Sequence, residues 1–142
     1  MGVKNAKGKY FFRCDSDDEV FENTLSKLMV YIEKFSDRLS SDCVGITGLC
    51  ERKEGEYSSI IGGEFPEDIF ISTGLEMNFK YKLKGERAGC MRTDILKQYP
   101  LPEPNDVNFI FESTMWYKID RDFKTICVND SFKYYTHHFT SN

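Results

Sequence analysis

The chain has 142 residues, of which 40% are hydrophobic and 30% are charged, and its formal net charge at neutral pH is −4. This length and composition are those of one globular domain with a sizeable core, and they exclude an intrinsically disordered chain. The lysine and arginine residues are scattered rather than gathered in one stripe, so we expect no nucleic-acid partner. No apolar stretch approaches the ~20 residues that a membrane span requires, so none is expected.

The cysteine pattern favours a reducing compartment. The chain has five cysteines, spread over distant segments without a C-x-x-C pair. An odd number in this arrangement argues against a disulfide framework. We therefore expect the protein to be cytoplasmic.

The first predicted element is a strand over Tyr10–Cys14, and it runs directly into an acidic segment. Asp15, Asp17 and Asp18 follow three consecutive aromatic residues. Acids at the carboxyl end of a strand lie where open α/β sheets bind ligands. Acids before a helix also serve as N-caps, which is the commoner use of such a cluster. Three carboxylates within four residues nevertheless repel one another, and a divalent cation would relieve that repulsion.

A helix and a second strand are predicted next. Apolar residues recur at steps of four and three from Phe21 to Leu39, which predicts a helix whose N-cap lies within Asp15–Asp18. The segment 42–52 is short and rich enough in β-branched residues to form a buried strand. Together with the first strand and the helix before it, this strand would complete a βαβ unit. Residues 53–76 contain several glycines and a proline, and we predict mostly loop there.

The second half of the chain is predicted to hold two helices and up to three strands. Residues 78–84 alternate as a half-buried strand does, although a short helix is an alternative. Thr93 is predicted to cap a short helix over 94–99. A third helix is expected from apolar residues four apart, which are Phe111, Met115 and Ile119. Residues 123–128 and 132–136 resemble two closing strands.

Two other kinds of acid-rich site can be tested by the spacing of the residues that follow Asp15. An EF-hand that began at Asp15 would need glycine at Val20 and glutamate at Ser26, so this calcium site is excluded. A haloacid dehalogenase-type phosphatase also places Asp-x-Asp after an apolar strand, with the first aspartate as nucleophile. No later Gly-Asp-x-x-x-Asp occurs here, so the phosphatase is a distant alternative.

Longer motifs indicate a family. Residues 6–18 resemble the middle of family-2 nucleotide-sugar glycosyltransferases, in which Ala-x-Gly-x-Tyr, an apolar strand and Asp-x-Asp follow in that order. Four later segments are similar to motifs of a bacterial branch of the family, and they are Gly85–Arg87, Met91–Leu96, Pro100–Glu103 and Phe109–Ile119. The resemblance covers essentially the whole chain, but only the second half of the family's GT-A domain.

The resemblance implies a fold class and a reaction. The fold is a partial GT-A (Rossmann-like) α/β domain, with a mixed sheet flanked by helices and without the N-terminal nucleoside-binding half. Residues 1–142 would form one partial domain, with the metal-site strand and helix in 8–40 and the acceptor side in 41–142. Complete relatives transfer a sugar from a nucleotide diphosphate-sugar to an acceptor hydroxyl with the help of a divalent metal.

The resemblance also implies residue roles. Asp15 would face the ribose or a metal-bound water, and Asp17 would bind Mn²⁺ or Mg²⁺ at the donor's diphosphate, so both are predicted at the metal. Glu112 matches the family's Glu-Asp pair, with serine in place of the second member, and is the predicted catalytic base. The alternative is a carboxylate at the start of a helix that takes no part in deprotonation. Arg92 is predicted to bind a substrate phosphate, with an ordinary ion pair as the alternative. Asp18 is assigned to the helix cap.

Two further features have simpler interpretations. Trp116 lies at helical spacing from other apolar residues and is predicted to be core rather than a sugar-stacking platform. His137 and His138 could close a metal site, but adjacent histidines in a tail are usually exposed to solvent.

The absent N-terminal half would leave the edge of the Tyr10–Cys14 strand bare, and a bare edge favours association. We expect either a truncated chain or a homo-oligomer formed through this edge. The alternative to an enzyme is then a non-catalytic interaction module derived from a glycosyltransferase.

Overall fold

The structure, a computed structural model, describes residues 2–100 and 112–135, with the side chains of residues 114–135 in the second range. The helices are α1 (Gly2–Asn5), α2 (Thr24–Lys34), α3 (Ser36–Leu39), α4 (Thr93–Gln98) and α5 (Glu112–Asp122), with a π-helical turn at Glu76–Lys80. The strands are β1 (Tyr10–Phe12), β2 (Glu19–Val20), β3 (Cys43–Glu54), β4 (Tyr57–Ile60), β5 (Ile69–Ser72), β6 (Arg87–Arg92) and β7 (Lys124–Tyr134).

One mixed sheet organises these elements. Its strands lie in the order β1-β6-β3-β7-β2, while β4 pairs with β3 and β5 pairs with β7. The pairing of β3 with β7 is parallel, and the other described pairings are antiparallel. Since β1 and β3 both run antiparallel to β6, they run in the same direction. The predicted strand–helix–strand unit is therefore present, with β6 inserted between its two strands.

Two long strands form the centre of the sheet. Every residue of β3 from Cys43 to Cys50 is buried, and so are residues Thr125–Val128 of β7. Continuous burial means that both faces of these strands are covered, as is usual for parallel pairs. The approach of β3 to β6 is close, because a Cβ on Gly45 would lie 2.0 Å from the carbonyl oxygen of Cys90. Glycine is therefore required at that position.

Helices cover both faces of the centre. On one face, α2 and α3 pack through Leu28 and Leu39 in a cluster that includes Ile126 and Phe132. On the other face, α4 and α5 pack around Val44, while a separate cluster lies beneath the segment between β4 and β6. This arrangement is the mixed α/β sheet flanked by helices that the sequence predicts.

The predicted helix from Phe21 to Leu39 is divided and begins later than expected. It starts at Thr24 after Asn23, and a break at Phe35 separates α2 from α3. Because β2 lies between the acids and α2, the prediction that Asp15–Asp18 cap the helix is wrong. Leu25 is 65% exposed, since Thr24 and Leu28 face the sheet and Leu25 lies about 100° further round the helix.

Several later predictions need correction. The segment predicted as loop contains β4 and β5. Residues 76–80 form a π-helical turn, so the strand predicted over 78–84 is wrong and the alternative of a short helix is the better description. Gly55 lies in the turn of the β3–β4 hairpin, where its positive φ of 66° suits glycine. β6 was not predicted, because its sequence has no clear period. The two closing strands are one strand, β7, whose register against β3 shifts part-way along.

Candidate functional site

The acid turn, residues Asp15–Asp18, follows β1 as predicted. The backbone N–H of Asp18 donates to the Asp15 carbonyl at 3.0 Å, and the backbone N–H of Asp15 donates to Oδ2 of Asp18 at 3.2 Å. These two bonds close the turn. Asp15, Asp17 and Asp18 then each offer a carboxylate oxygen within 4.8 Å of the others.

The Asp18 side chain is buried, and its partner comes from β7. Lys133 Nζ donates to Asp18 Oδ2 at 2.8 Å, and the two side chains are 8% and 1% exposed. Burial disfavours the Lys133 ammonium, but the hydrogen bond and charge of Asp18 outweigh this, so the pKa of Lys133 is raised above 10.5. The second oxygen of Asp18, Oδ1, is buried without a hydrogen-bond partner among the described residues.

The short strand β2 continues this connection to β7. Val20 lies opposite Lys133, and Glu19 lies opposite Tyr134. Lys53 of β3 donates to Oε2 of Glu19 at 2.6 Å, although both side chains are more than half exposed. The carboxyl side of the acid turn is therefore attached to β7 by the β2–β7 ladder and by the buried Lys133–Asp18 pair, and to β3 by the exposed Lys53–Glu19 pair.

Helix α2 is attached to the same part of β7. The Thr24 hydroxyl donates to the Phe132 carbonyl at 2.6 Å. Lys27 Nζ donates to Oδ1 of Asp130 at 2.7 Å, and the Tyr31 hydroxyl donates to Oδ2 at 3.1 Å. Burial and the nearby Asp130 carboxylate raise the pKa of Tyr31. The acid turn and α2 thus share one anchoring segment, residues 130–133.

The outer carboxylates of the acid turn face solvent. Asp15 and Asp17 are exposed, and Arg13 Nε approaches Asp15 Oδ1 at 3.4 Å.

The cysteines, all among the described residues, form no disulfide bond: Cys14 is exposed, and the other four are buried as free thiols. Burial raises the pKa of Cys43, Cys50 and Cys90 to about 11.

Arg92 lies at the other end of β1. It is opposite Tyr10 in the β1–β6 ladder, whereas the acids follow Phe12. Its guanidinium holds Asp94 through Nε at 3.1 Å and Nη2 at 2.6 Å, and Nη1 donates to the Leu39 carbonyl at 2.8 Å. A cavity of about 780 Å³ opens beside this end of β1, lined in part by Lys7, Lys9 and Lys97. The structure does not bring Arg92 to the acid turn, and its substrate role stays a prediction.

The other predicted site residues are placed only in part. Glu112 is the first residue of α5, but its side chain lies outside the described residues, as do His137 and His138. Trp116 packs partly buried against the Val44 and Ile119 cluster. The prediction that Trp116 belongs to the core is therefore confirmed.

The donor set of the acid turn fits a hard divalent cation. Mn²⁺ and Mg²⁺ prefer carboxylate oxygens, and ligand oxygens on one Mg²⁺ lie within about 4 Å of each other, because each metal–oxygen distance is ~2.1 Å. A separation of up to 4.8 Å requires only small changes in the side-chain torsion angles of Asp15 and Asp17, which are both exposed. The chemistry and spacing of these residues are suited to holding a hard divalent cation.

Comparison with known proteins supports the fold. No protein-family model and no curated protein sequence matches the chain. A solved structure, S. aureus TarS 1–349 in complex with UDP-GlcNAc, matches it with a TM-score of 0.64 at 20% sequence identity. The match covers 98% of this chain and 38% of the TarS chain. The protein therefore has a glycosyltransferase-like fold, which confirms the predicted fold class.

The comparison concerns 38% of the length of TarS, so the activity of a whole enzyme does not follow from it. The narrower predictions, family 2 and GT-A type, stay predictions. None of the helices in the described ranges has the length and hydrophobicity needed to span a membrane.

Sequence reasoning missed Lys133. It lies in a run of aromatic residues, between Phe132 and Tyr134, where a charged side chain on a buried strand needs an acidic partner. That signal marks Lys133 as unusual, but it does not identify Asp18 as the partner. The identification requires the β2–β7 ladder.

Proposed function

We propose that this chain is a nucleotide-sugar glycosyltransferase domain of GT-A type in family 2, and that it binds Mn²⁺ or Mg²⁺ at the acid turn. One observation carries the proposal. Three carboxylates offer oxygens within 4.8 Å of one another directly after a strand, in a fold similar to that of TarS in complex with UDP-GlcNAc. As the comparison spans part of TarS, we also propose that residues 1–142 are one partial domain. The five free cysteines support a location in the reducing cytoplasm.

The acid turn would hold the diphosphate of the donor through the cation. In this proposal Asp17 and Asp15 supply the metal oxygens, and Asp15 also faces the ribose. Bound there, the cation would supply Lewis-acid stabilisation of the negative charge on the departing diphosphate. Asp18 is occupied by Lys133 and supports the turn from behind.

The transfer would break the bond between the sugar's anomeric carbon and the diphosphate oxygen. The acceptor hydroxyl oxygen forms the new bond to that carbon, and its proton passes to Glu112 as general base. Arg92 lies at the other end of β1 and holds Asp94, so it would bind a donor phosphate only if the donor reached that end of the strand and displaced Asp94.

Binding, rather than turnover, tests the proposal most directly. Isothermal titration of UDP into the chain with saturating Mn²⁺ should give saturable binding that chelation of the metal abolishes. Asp17→Ala should weaken this binding at least tenfold, because the exposed carboxylate is the proposed metal ligand. The matched control is Asp37→Ala, which removes another exposed aspartate, in α3, and should leave UDP affinity within twofold of wild type.

Equal binding in the wild type and Asp17→Ala would refute the assignment of the metal site. Hydrolysis of p-nitrophenyl phosphate that depends on Asp15, without UDP binding, would instead support the haloacid dehalogenase-type alternative.

A non-catalytic interaction module is the second candidate, and the edge of the sheet favours it. Among the described residues, β1 pairs only with β6, and the 780 Å³ cavity lies beside it. A strand edge without a partner is a template for association with another chain. Multi-angle light scattering, together with the UDP titration, decides between the candidates. A dimer without UDP binding would favour the module, whereas a monomer that binds UDP with Mn²⁺ would reject it.

A further inference from the structure

The acid turn contains one aspartate that differs from the other two. Asp15 and Asp17 are exposed, whereas the Asp18 side chain is 1% exposed and held by Lys133 at 2.8 Å. The same oxygen of Asp18 that accepts from Lys133 also accepts the backbone N–H of Asp15. Lys133 is thus connected to the backbone of a proposed metal ligand through a single buried carboxylate oxygen.

We propose that Lys133 is a positioning residue for the acid turn: it fixes Asp18, and through it the backbone at Asp15, so that Asp15 and Asp17 face one divalent cation. This inference rests on the proposed function. Lys133 itself does not touch the cation or the nucleotide. Its ammonium lies behind the turn, on β7, 115 residues away along the chain.

Electrostatics alone predicts the opposite effect. An ammonium near a cation site repels the cation, so removal of a positive charge should tighten Mn²⁺ binding if Lys133 has no positioning role. The positioning role predicts weaker binding, because the turn loses its fixed geometry when Asp18 loses its partner. The direction of the change in Mn²⁺ affinity therefore separates the two explanations.

The neighbouring pair supplies a matched control. Lys53 also reaches across to this segment, where it holds Glu19 at 2.6 Å, but both side chains are more than half exposed. Exposed pairs fix geometry weakly. Lys53→Met therefore removes the same charge from the same neighbourhood without removing a buried connection to the turn.

The experiment measures Mn²⁺ binding to the full chain by electron paramagnetic resonance of the free ion, at a temperature where every variant is folded. Lys133→Met should weaken Mn²⁺ binding at least tenfold, and Lys133→Arg, which keeps the charge, should restore it to within threefold. Lys53→Met should change it less than twofold. If Lys133→Met does not fold, the double variant Asp18→Ala with Lys133→Met, which leaves no lone buried charge, should show the same tenfold weakening.

Mn²⁺ affinity in Lys133→Met, or in the double variant, equal to or tighter than wild type would overturn the inference. A second readout separates this result from failure of the proposed function. Amide hydrogen exchange at Asp15 should be slow in the wild type and in Lys133→Arg, and fast in Lys133→Met. If the wild type binds no Mn²⁺, the proposed function fails. If amide exchange at Asp15 is then also the same in Lys133→Met as in the wild type, the positioning role of Lys133 is overturned as well.

Discussion

The two ends of β1 both carry charged groups, but these are held in different ways. At the carboxyl end, Asp18 is buried against Lys133, whose side chain is 8% exposed and comes from a distant strand. At the amino end, Arg92 holds Asp94, two residues away, and the Asp94 side chain is 58% exposed. One pair therefore depends on the tertiary fold, while the other is local.

This difference indicates which end is built for a fixed geometry. A local exposed pair can form and break without disturbing the sheet, and it contributes little to stability. A buried pair that joins two strands is costly to break, because one charge is then left without water or a partner. The Asp18–Lys133 pair is accordingly the more constrained of the two, which agrees with its proposed support of the acid turn.

The largest expected effect is at the buried pair. Lys133→Met should lower the free energy of unfolding by about 3–5 kcal/mol, because it leaves the Asp18 carboxylate buried without its counter-charge. Lys53→Met, at the exposed pair with Glu19, should lower it by no more than about 1 kcal/mol. Urea unfolding followed by circular dichroism measures both. Equal losses in the two variants would contradict the contrast between buried and exposed charges.

A matched pair of threonines tests the same contrast with neutral groups. Thr24 is fully buried and donates to Phe132 near the acid-turn anchor, whereas the buried Thr93 hydroxyl, beside Arg92, has no hydrogen-bond partner among the described residues. Thr24→Val should cost about 1–3 kcal/mol, because the Phe132 carbonyl loses its hydroxyl donor. Thr93→Val should cost nothing or stabilise slightly, since it removes an unsatisfied hydroxyl.

Thermal and urea unfolding of these two valine variants give the comparison directly. A loss in Thr93→Val as large as that in Thr24→Val would mean that the Thr93 hydroxyl has a partner in solution, and that the amino end of β1 is more ordered than we infer.

The smallest expected effect is at Asp94. The hydrogen bond from Arg92 holds the pKa of Asp94 below its usual value of 3.8, so the pair contributes stability above pH 3.8 that is lost as the pH falls through the lowered pKa. Asp94→Asn should therefore lower the free energy of unfolding by less than about 1 kcal/mol at pH 7, since the Asp94 side chain is 58% exposed. Urea titrations at pH 7 and below pH 3.8 should show that the difference in free energy of unfolding between the wild type and Asp94→Asn becomes smaller at the lower pH. A difference that becomes larger at low pH would contradict the lowered pKa of Asp94.

The sequence predicts the parts of the fold that local patterns determine. β1, the buried strand β3, and the helices α4 and α5 are all found near their predicted positions, because apolar runs and helical spacing are short-range signals. β6 and β5 were missed because they are strands by virtue of their neighbours: both pair with the long central strands. Their stabilisation comes from contacts that no local window contains.

The site shows the same division. The position of Asp15 and Asp17 after β1 follows from the sequence alone, but the role of Asp18 does not. Acids before an apolar helix match the N-cap pattern, and only the insertion of β2 gives Asp18 a different partner. The separation of Arg92 from the acids likewise follows from the antiparallel β1–β6 register.

The long sequence distance between Asp18 and Lys133 also sets an order of events during synthesis. The acid turn is synthesised 115 residues before its buried partner Lys133, and β1 pairs with β6, which ends at Arg92. Non-local strand pairings form slowly, because a long loop must close before its contacts are gained. The acid turn therefore acquires its buried support only after β7 has been synthesised and has paired with β2.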